Sequence, residues 1–175
     1  RPLVVDNKEQ QVEILLVPSS HEVEFEVRNS TNDEAVTLCT GKLSYEHEYG
    51  QTEVLDVEEI KRRCSNQPLT KSELYSYISS QGLDLGRGFQ VSESLYASED
   101  EALSVLKLPQ HLVSQADKYW LHPALMDGAV HSTMVGLVNQ SKNNISLGVP
   151  FSVGEVQIFG SLEKLYYGYA TWSDE

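Results

Sequence analysis

The sequence contains little positive charge and little cysteine. It has 13 Lys and Arg against 26 Asp and Glu, so the formal net charge at pH 7 is −13. Because a chain of this charge is repelled by phosphate backbones and anionic lipids, we expect neither nucleic acid nor a membrane as a partner. Cys39 and Cys64 are too few for a disulfide framework and lack the spacing of a zinc site. We expect both to be free thiols.

Long hydrophobic runs are also absent. The longest apolar stretches, such as residues 12–18, are far shorter than the roughly 20 residues of a membrane-spanning helix. No basic segment followed by an apolar one opens the chain, so no secretory leader is predicted. With 40% hydrophobic residues the composition is globular, and we expect a soluble, cytoplasmic protein. Because the chain begins within one predicted strand and stops just after another, we also expect a piece of a longer polypeptide.

Three segments of strand character occupy residues 1–50. They are residues 11–18, 21–28 and 34–46, and the second of them alternates polar and apolar side chains almost throughout. That alternation is typical of a half-buried antiparallel strand. Turn-forming residues separate the segments. We therefore predict an antiparallel meander.

A linker and a helix are predicted next. Residues 51–70 are rich in charge and are predicted to be a linker, in which residues 56–63 suggest either a short solvated helix or irregular linker chain. Thr70 and Glu73 have the spacing of a capping box, which predicts that a helix starts there. We expect this helix to cover residues 71–80, with an apolar face made of Leu74, Tyr77 and Ile78.

Residues 71–175 are predicted to form a second subdomain around one long helix. Residues 89–97 and 101–108 carry the signals of a hairpin, and residues 147–159 and 165–172 those of further strands. Pro123 suits the first turn of a helix. Apolar residues nearly surround this helix: Leu125, Met126, Ala129, Val130, Met134, Leu137 and Val138. A long apolar helix wrapped by an antiparallel sheet is an α+β architecture.

Asp127 and His131 are four residues apart near the start of that helix, so both side chains emerge on one face. Desolvation beside apolar neighbours would raise the pKa of the Asp127 carboxyl group, although the helix N-terminus opposes this. A carboxyl group with a raised pKa can act as a general acid. The structural alternative is that Asp127 solvates the helix start and His131 is a satisfied core histidine. Spacing alone favours this alternative, because such pairs are common on helices.

The segment H-P-A-L-M-D-G-A-V-H, residues 122–131, resembles the H-P-A-L-L-D-x-x-x-[QH] signature of polyketide synthase dehydratase domains. Three flanking segments have that family's order and spacing: residues 82–90, 105–109 and 149–152. The resemblance implies a double-hotdog fold, in which curved antiparallel sheets wrap central helices. Residues 1–50 are similar to the later strands of the first hotdog, so we expect that hotdog to be incomplete here.

The resemblance also implies a reaction. In that family a histidine of the first hotdog removes the α-proton of a β-hydroxyacyl thioester, and an aspartate of the second hotdog protonates or orients the departing hydroxyl. The matching acid is Asp127, and His131 takes the position that holds it by a hydrogen bond. The residues implied at the substrate are Leu85, Gly86, Phe89, His122 and Pro123. For His122, a contact at the helix start is the expected role, rather than that of a base.

The implied partners follow from the same resemblance. They are an acyl carrier protein bearing the β-hydroxyacyl chain on its phosphopantetheine, neighbouring synthase domains, and a second copy of the domain in a homodimer. We expect no cofactor and no metal, because the acid and base of such an elimination are side chains.

One departure from the family pattern concerns the base. The catalytic histidine of the family belongs to an H-x-x-x-G-x-x-x-x-P motif, which His21, His47 and His111 do not match. We therefore expect the base to lie outside these residues and the chain alone to be inactive.

A second departure lies in the loop usually written G-Y-x-Y-G-P-x-F. Leu83 and Leu85 occupy its tyrosine positions and Arg87 occupies its proline position. The alternatives to dehydration are a double-bond isomerase, a pyran-forming cyclase and a noncatalytic structural module. The retained Asp127 disfavours the isomerase, which tends to lose that acid.

Overall fold

The computed structural model describes residues 1–31, 35–44, 54–64, 67–140, 150–160 and 165–172, with side chains in the last helix described as far as residue 133. The chain divides into two compact units, Arg1–Thr52 and Glu53–Glu175. None of the helices in the described ranges is long and apolar enough to cross a membrane.

The first unit is a three-stranded antiparallel sheet. Its strands are β1 (Val12–Pro18), β2 (Glu22–Asn29) and β3 (Val36–Ser44), in the order β1-β2-β3. Phe25 is paired with Gly41, and its ring covers that glycine so closely that a Cβ there would come within 2.5 Å of a ring carbon. The predicted meander is confirmed, while Glu34 and residues 45–46 of the third predicted strand lie outside the described residues.

The second unit is a four-stranded antiparallel sheet with helices packed on it. The strands are β4 (Leu69–Thr70), β5 (Ser92–Ala97), β6 (Glu101–Lys107) and β7 (Leu165–Thr171), in that spatial order. The helices are α1 (Val57–Cys64), α2 (Lys71–Ser80) and α3 (Pro123–Gln140), with a 3₁₀ helix at Val113–Lys118. Helix α3 lies against β5, β6 and β7. This is the predicted arrangement of a long helix on an antiparallel sheet.

Strand β6 contributes apolar side chains to both faces of the sheet, because successive residues of a strand point to opposite sides. Leu106 packs in one cluster with Ala124 and Leu125 of α3. Leu103, which points the other way, packs with Ile60 and Cys64 of α1. The predicted solvated helix at residues 56–63 therefore has a charged outer face and a buried inner one.

Helix α2 begins with the predicted capping box. Thr70 Oγ1 accepts the Glu73 backbone N–H, and the Glu73 carboxylate accepts the Thr70 backbone N–H at 2.8 Å. The helix ends before Gly82, whose φ of 87° is a left-handed conformation that glycine adopts without strain. The predicted apolar face was wrong at one position, because the structure buries Tyr75 beside Leu74 and Ile78 and leaves Tyr77 half-buried.

Two of the predicted strands differ from the structure. The first strand of the hairpin starts at Ser92 rather than residue 89, because Phe89 lies in a turn in which its N–H donates to the Gly86 carbonyl at 2.9 Å. The strand predicted at residues 147–159 is wrong for residues 150–159, which form no strand, while residues 147–149 lie outside the described residues. Phe151 is fully exposed there. Alternating apolar residues form a strand only where a neighbouring strand accepts their hydrogen bonds.

Helix α3 approaches the sheet closely at two glycines. A Cβ on Gly168 of β7 would come within 2.8 Å of Ala129 Cα, and one on Gly128 within 2.2 Å of Val91 Cγ2. At the same level Ser132 Oγ, which is buried, donates to the Gly168 carbonyl at 3.2 Å and contacts Ser104 Oγ. The absence of side chains at both glycines therefore sets the distance between helix and sheet.

Replacing Gly168 by alanine should destabilise the second unit. The new methyl group meets backbone, which cannot rotate away, and overpacking of this kind costs about 1–3 kcal/mol. Gly154→Ala is the matched control, because nothing lies within 4 Å of a Cβ at that position. The measurement is the free energy of unfolding of each variant by chemical denaturation. Equal stability of both variants would mean that α3 can move away from the sheet at little cost.

A carboxylate connects α1, β6 and β7. Arg63 donates two hydrogen bonds to Glu101, both 2.8 Å long, and the Tyr169 hydroxyl donates a third at 2.6 Å. The Arg63 guanidinium, with help from Tyr169, lowers the pKa of Glu101 to about 2. The hydrogen bond to Glu101 in turn raises the pKa of Tyr169.

The hydrogen bonds that Glu101 accepts from Arg63 and Tyr169 should make the free energy of unfolding depend on pH. Because folding lowers the pKa of Glu101 from 4.5 to about 2, its contribution is fully present above pH 4.5 and is lost as pH falls toward 2. Glu101→Gln should be less stable than wild type at pH 7, and the difference in unfolding free energy should shrink below about pH 4. Glu93→Gln, which breaks the surface pair with Lys71, is the control. A difference that is constant with pH would contradict this role.

Candidate active site

Asp127 and His131 meet on one face of α3. Asp127 Oδ2 lies 3.3 Å from His131 Nε2, which is an ion-pair distance, but Oδ2 makes no hydrogen bond in this arrangement. His131 is 1% exposed and Asp127 is 38% exposed at its side chain, although Oδ2 itself is buried. One carboxylate oxygen thus faces the buried imidazole while the rest of the carboxyl group is accessible. A substrate atom can reach a group placed in this way.

The start of α3 is held by His122. Its Nδ1 accepts the Ala124 backbone N–H at 3.2 Å, which satisfies one of the unpaired donors of the first helical turn. The His122 carbonyl also accepts the N–H groups of Leu125 and Met126. The ring is buried and meets Tyr119 edge to face, with centroids 5.0 Å apart. His122 therefore caps the helix, which is the kind of contact expected for it at the helix start. Pro123 is the exposed first residue of the helix.

The other residues predicted at the substrate lie in the loop between α2 and β5. Phe89 is 44% exposed and Gly86 is exposed as well. Leu85 instead packs with Leu83 against the α2 core, and its carbonyl accepts a hydrogen bond from Gln90 at 2.8 Å. The two leucines at the tyrosine positions of the family loop thus support the loop from inside.

Tyr75 is a residue that sequence reasoning missed. Its ring meets His131 edge to face, with centroids 5.9 Å apart, and its hydroxyl is bonded to the backbone of Phe89 and Ser92. The available signal was its place beside Leu74 on α2, but helical spacing alone assigned the inward position to Tyr77. Among the described residues no group of three or more His, Cys, Asp or Glu is placed to hold a metal ion.

Comparison with known proteins agrees with this fold. Residues 52–173 match a family model described as the polyketide synthase dehydratase N-terminal domain. Polyketide synthase PksM of Bacillus subtilis is 30% identical over 182 residues, which cover all of this chain and 4% of that protein. These matches and the sheet-and-helix architecture define a double-hotdog dehydratase domain. The chain belongs to the polyketide synthase dehydratase family.

Two solved structures show how far the likeness extends. A trans-AT polyketide synthase dehydratase domain from Brevibacillus brevis is 26% identical, with a TM-score of 0.70 over 77% of this chain and 51% of that one. The dehydratase domain of the CurF module of curacin polyketide synthase is 23% identical and shows the shared fold, with a TM-score of 0.87 over 99% of this chain and 62% of that one. The chain thus spans between half and two thirds of either domain. The assignment of residues 71–175 to the second hotdog stays a prediction.

Removing the His122 side chain should weaken the start of α3. His122→Ala should lower the free energy of unfolding by about 1 kcal/mol or more, because a capping acceptor and a buried ring are both lost. His122→Asn, which keeps an acceptor near the Ala124 N–H, should recover part of that loss. Chemical denaturation measures both, with His111→Ala at an exposed histidine as the control. Equal losses for the alanine and asparagine variants would contradict a capping role.

Proposed function

We propose that this chain contributes the acid half of the active site of a polyketide synthase dehydratase. The reaction is the elimination of water from a β-hydroxyacyl thioester on an acyl carrier protein, which yields an α,β-enoyl thioester. The observation that carries the proposal is the pairing of a partly exposed Asp127 with a buried His131, on the helix that bears the family signature.

The geometry suits a general acid. A departing hydroxyl needs a proton or a hydrogen bond from a group that is within reach of the substrate. Asp127 has one accessible side and one side confined by His131, so the imidazole limits the directions in which the carboxyl group can point. In this proposal Asp127 donates to the leaving oxygen and His131 is the positioning residue.

The base is proposed to be a histidine outside these residues. His122 accepts a hydrogen bond at the helix start, and His131 is buried at the acid, so neither is free to remove an α-proton. His21 and His111 lack the family's motif, as does His47, which lies outside the described residues. The chain by itself is therefore proposed to be inactive. Gly86, Phe89 and Pro123 are proposed to line the acyl path, and Leu85, which packs against the α2 core, is proposed to support the loop that carries Phe89.

The proposed partners follow from the substrate. The acyl group arrives on the phosphopantetheine of an acyl carrier protein, and the chain works beside neighbouring domains of the synthase, as a homodimer. Because both catalytic groups are side chains, the proposed chemistry uses no cofactor or metal of its own.

The test is a mass-spectrometric assay of the full-length gene product with a β-hydroxyacyl carrier protein. Wild type should convert the acyl group with a loss of about 18 Da, and Asp127→Asn should abolish it, because the amide cannot donate an acidic proton. His131→Gln, which keeps a donor at that position, should retain most of the rate, whereas His131→Ala should lose roughly tenfold or more.

Asp117→Asn is the matched control, because this aspartate is exposed and lies on the 3₁₀ helix rather than on α3. A wild type that is folded but leaves the mass unchanged would exclude dehydration. A product with a relocated double bond or a new oxygen ring would identify the isomerase or the cyclase, and no product of any kind would favour the structural module.

A further inference from the structure

Tyr75 is a buried tyrosine that contacts both His131 and the segment that carries Phe89. It is 9% exposed, and its ring meets the imidazole of His131 at an interplanar angle of 80°. The hydroxyl donates to the Phe89 carbonyl at 3.3 Å and accepts the Ser92 N–H at 2.9 Å. One side chain of α2 therefore touches the partner of Asp127 and ties down the loop that carries Phe89.

Ser92, whose N–H the Tyr75 hydroxyl accepts, also lies beside the helix turn of Asp127. It begins β5 and is fully buried, and its Oγ lies 3.7 Å from where a Cβ on Gly128 would be. The neighbouring Val91 is packed even more tightly against Gly128. These contacts with α3 are made by side chains that the Tyr75 hydroxyl does not bond, so the hydroxyl holds only the backbone of Phe89 and Ser92.

The chemistry of the hydroxyl agrees with this role. Burial raises the pKa of Tyr75, so the hydroxyl keeps its proton and can donate to Phe89 throughout the neutral range. It accepts one hydrogen bond and donates one, which satisfies it in the interior. The Phe89 carbonyl lies outside regular secondary structure, so this bond supplies a support that the sheet does not.

We propose that Tyr75 is a positioning residue of the dehydratase site, whose ring restrains His131 and whose hydroxyl holds the substrate-contacting segment around Phe89. This inference rests on the proposed function, since it gives Tyr75 one role at the partner of the proposed acid and one at the proposed substrate-contacting segment. The ring acts on the step in which Asp127 takes part, and the hydroxyl acts on substrate binding. The two roles are therefore separable by substitution.

The experiment uses the full-length gene product and two variants. Tyr75→Phe keeps the ring and removes the hydroxyl, so the KM for the carrier-bound substrate should rise about three- to tenfold with kcat within about twofold of wild type. Tyr75→Leu removes the ring as well, so kcat should fall by roughly a further tenfold. Because phenylalanine has nearly the same volume, Tyr75→Phe decides the hydroxyl's role even if the leucine variant does not fold.

Hydrogen exchange supplies a readout that does not depend on activity. The Ser92 amide loses its acceptor in Tyr75→Phe, so peptides that contain Ser92 should exchange roughly tenfold faster or more, with other segments unchanged. Tyr77→Phe is the matched control, a half-buried tyrosine two positions along the same helix. It should leave both exchange and kinetics as in wild type.

The outcomes separate this inference from the proposed function. Faster exchange at Ser92 with kinetics equal to those of Tyr77→Phe would make Tyr75 purely structural and overturn the proposal. Unchanged exchange at Ser92 would mean that the Tyr75 hydroxyl does not hold this segment, which would also overturn the proposal. Failure of the wild type to dehydrate would instead refute the dehydratase function, on which the inference depends, and would be visible before any variant is compared.

Discussion

The close contact between α3 and its sheet is the constraint on which the rest of the site depends. Gly128 and Gly168 let the helix backbone approach the strands to a distance that no side chain would permit. Ser132 then hydrogen-bonds the strand backbone across the interface. Because Asp127 directly precedes Gly128, the position of the proposed acid along the helix axis is coupled to this packing. A helix held only by larger apolar side chains would place the carboxyl group less accurately.

The helix combines two demands that oppose each other. Its buried face must be apolar to stabilise the unit, yet the proposed site needs a carboxyl group and an imidazole one turn apart on the same helix. The structure resolves this by burying His131 against the Tyr75 ring while one side of Asp127 stays accessible. The imidazole thus lies where Tyr75 of α2 packs against it, and an apolar helix carries the proposed acid without exposing its core.

Local signals in the sequence predicted most of the elements. The capping box of α2, the alternation in β2 and the proline that opens α3 act over a few residues, and each appears in the structure where it was predicted. Predictions failed where a residue distant in the sequence decides whether a strand forms or a helix face is buried. Residues 150–160 alternate like a strand but have no strand beside them in the described residues, and α1 looks solvated until Leu103 is placed against it. Periodicity cannot show which surface a segment meets.

The same division applies to the site. The pairing of Asp127 with His131 follows from the sequence, because residues four apart on a helix share a face whatever surrounds them. The family signature is also visible in the sequence alone. The burial of His131 and the contacts of Tyr75 depend on the fold. Both join residues that are brought together by helices and strands packing on one another, and no spacing rule along a single element encodes such contacts.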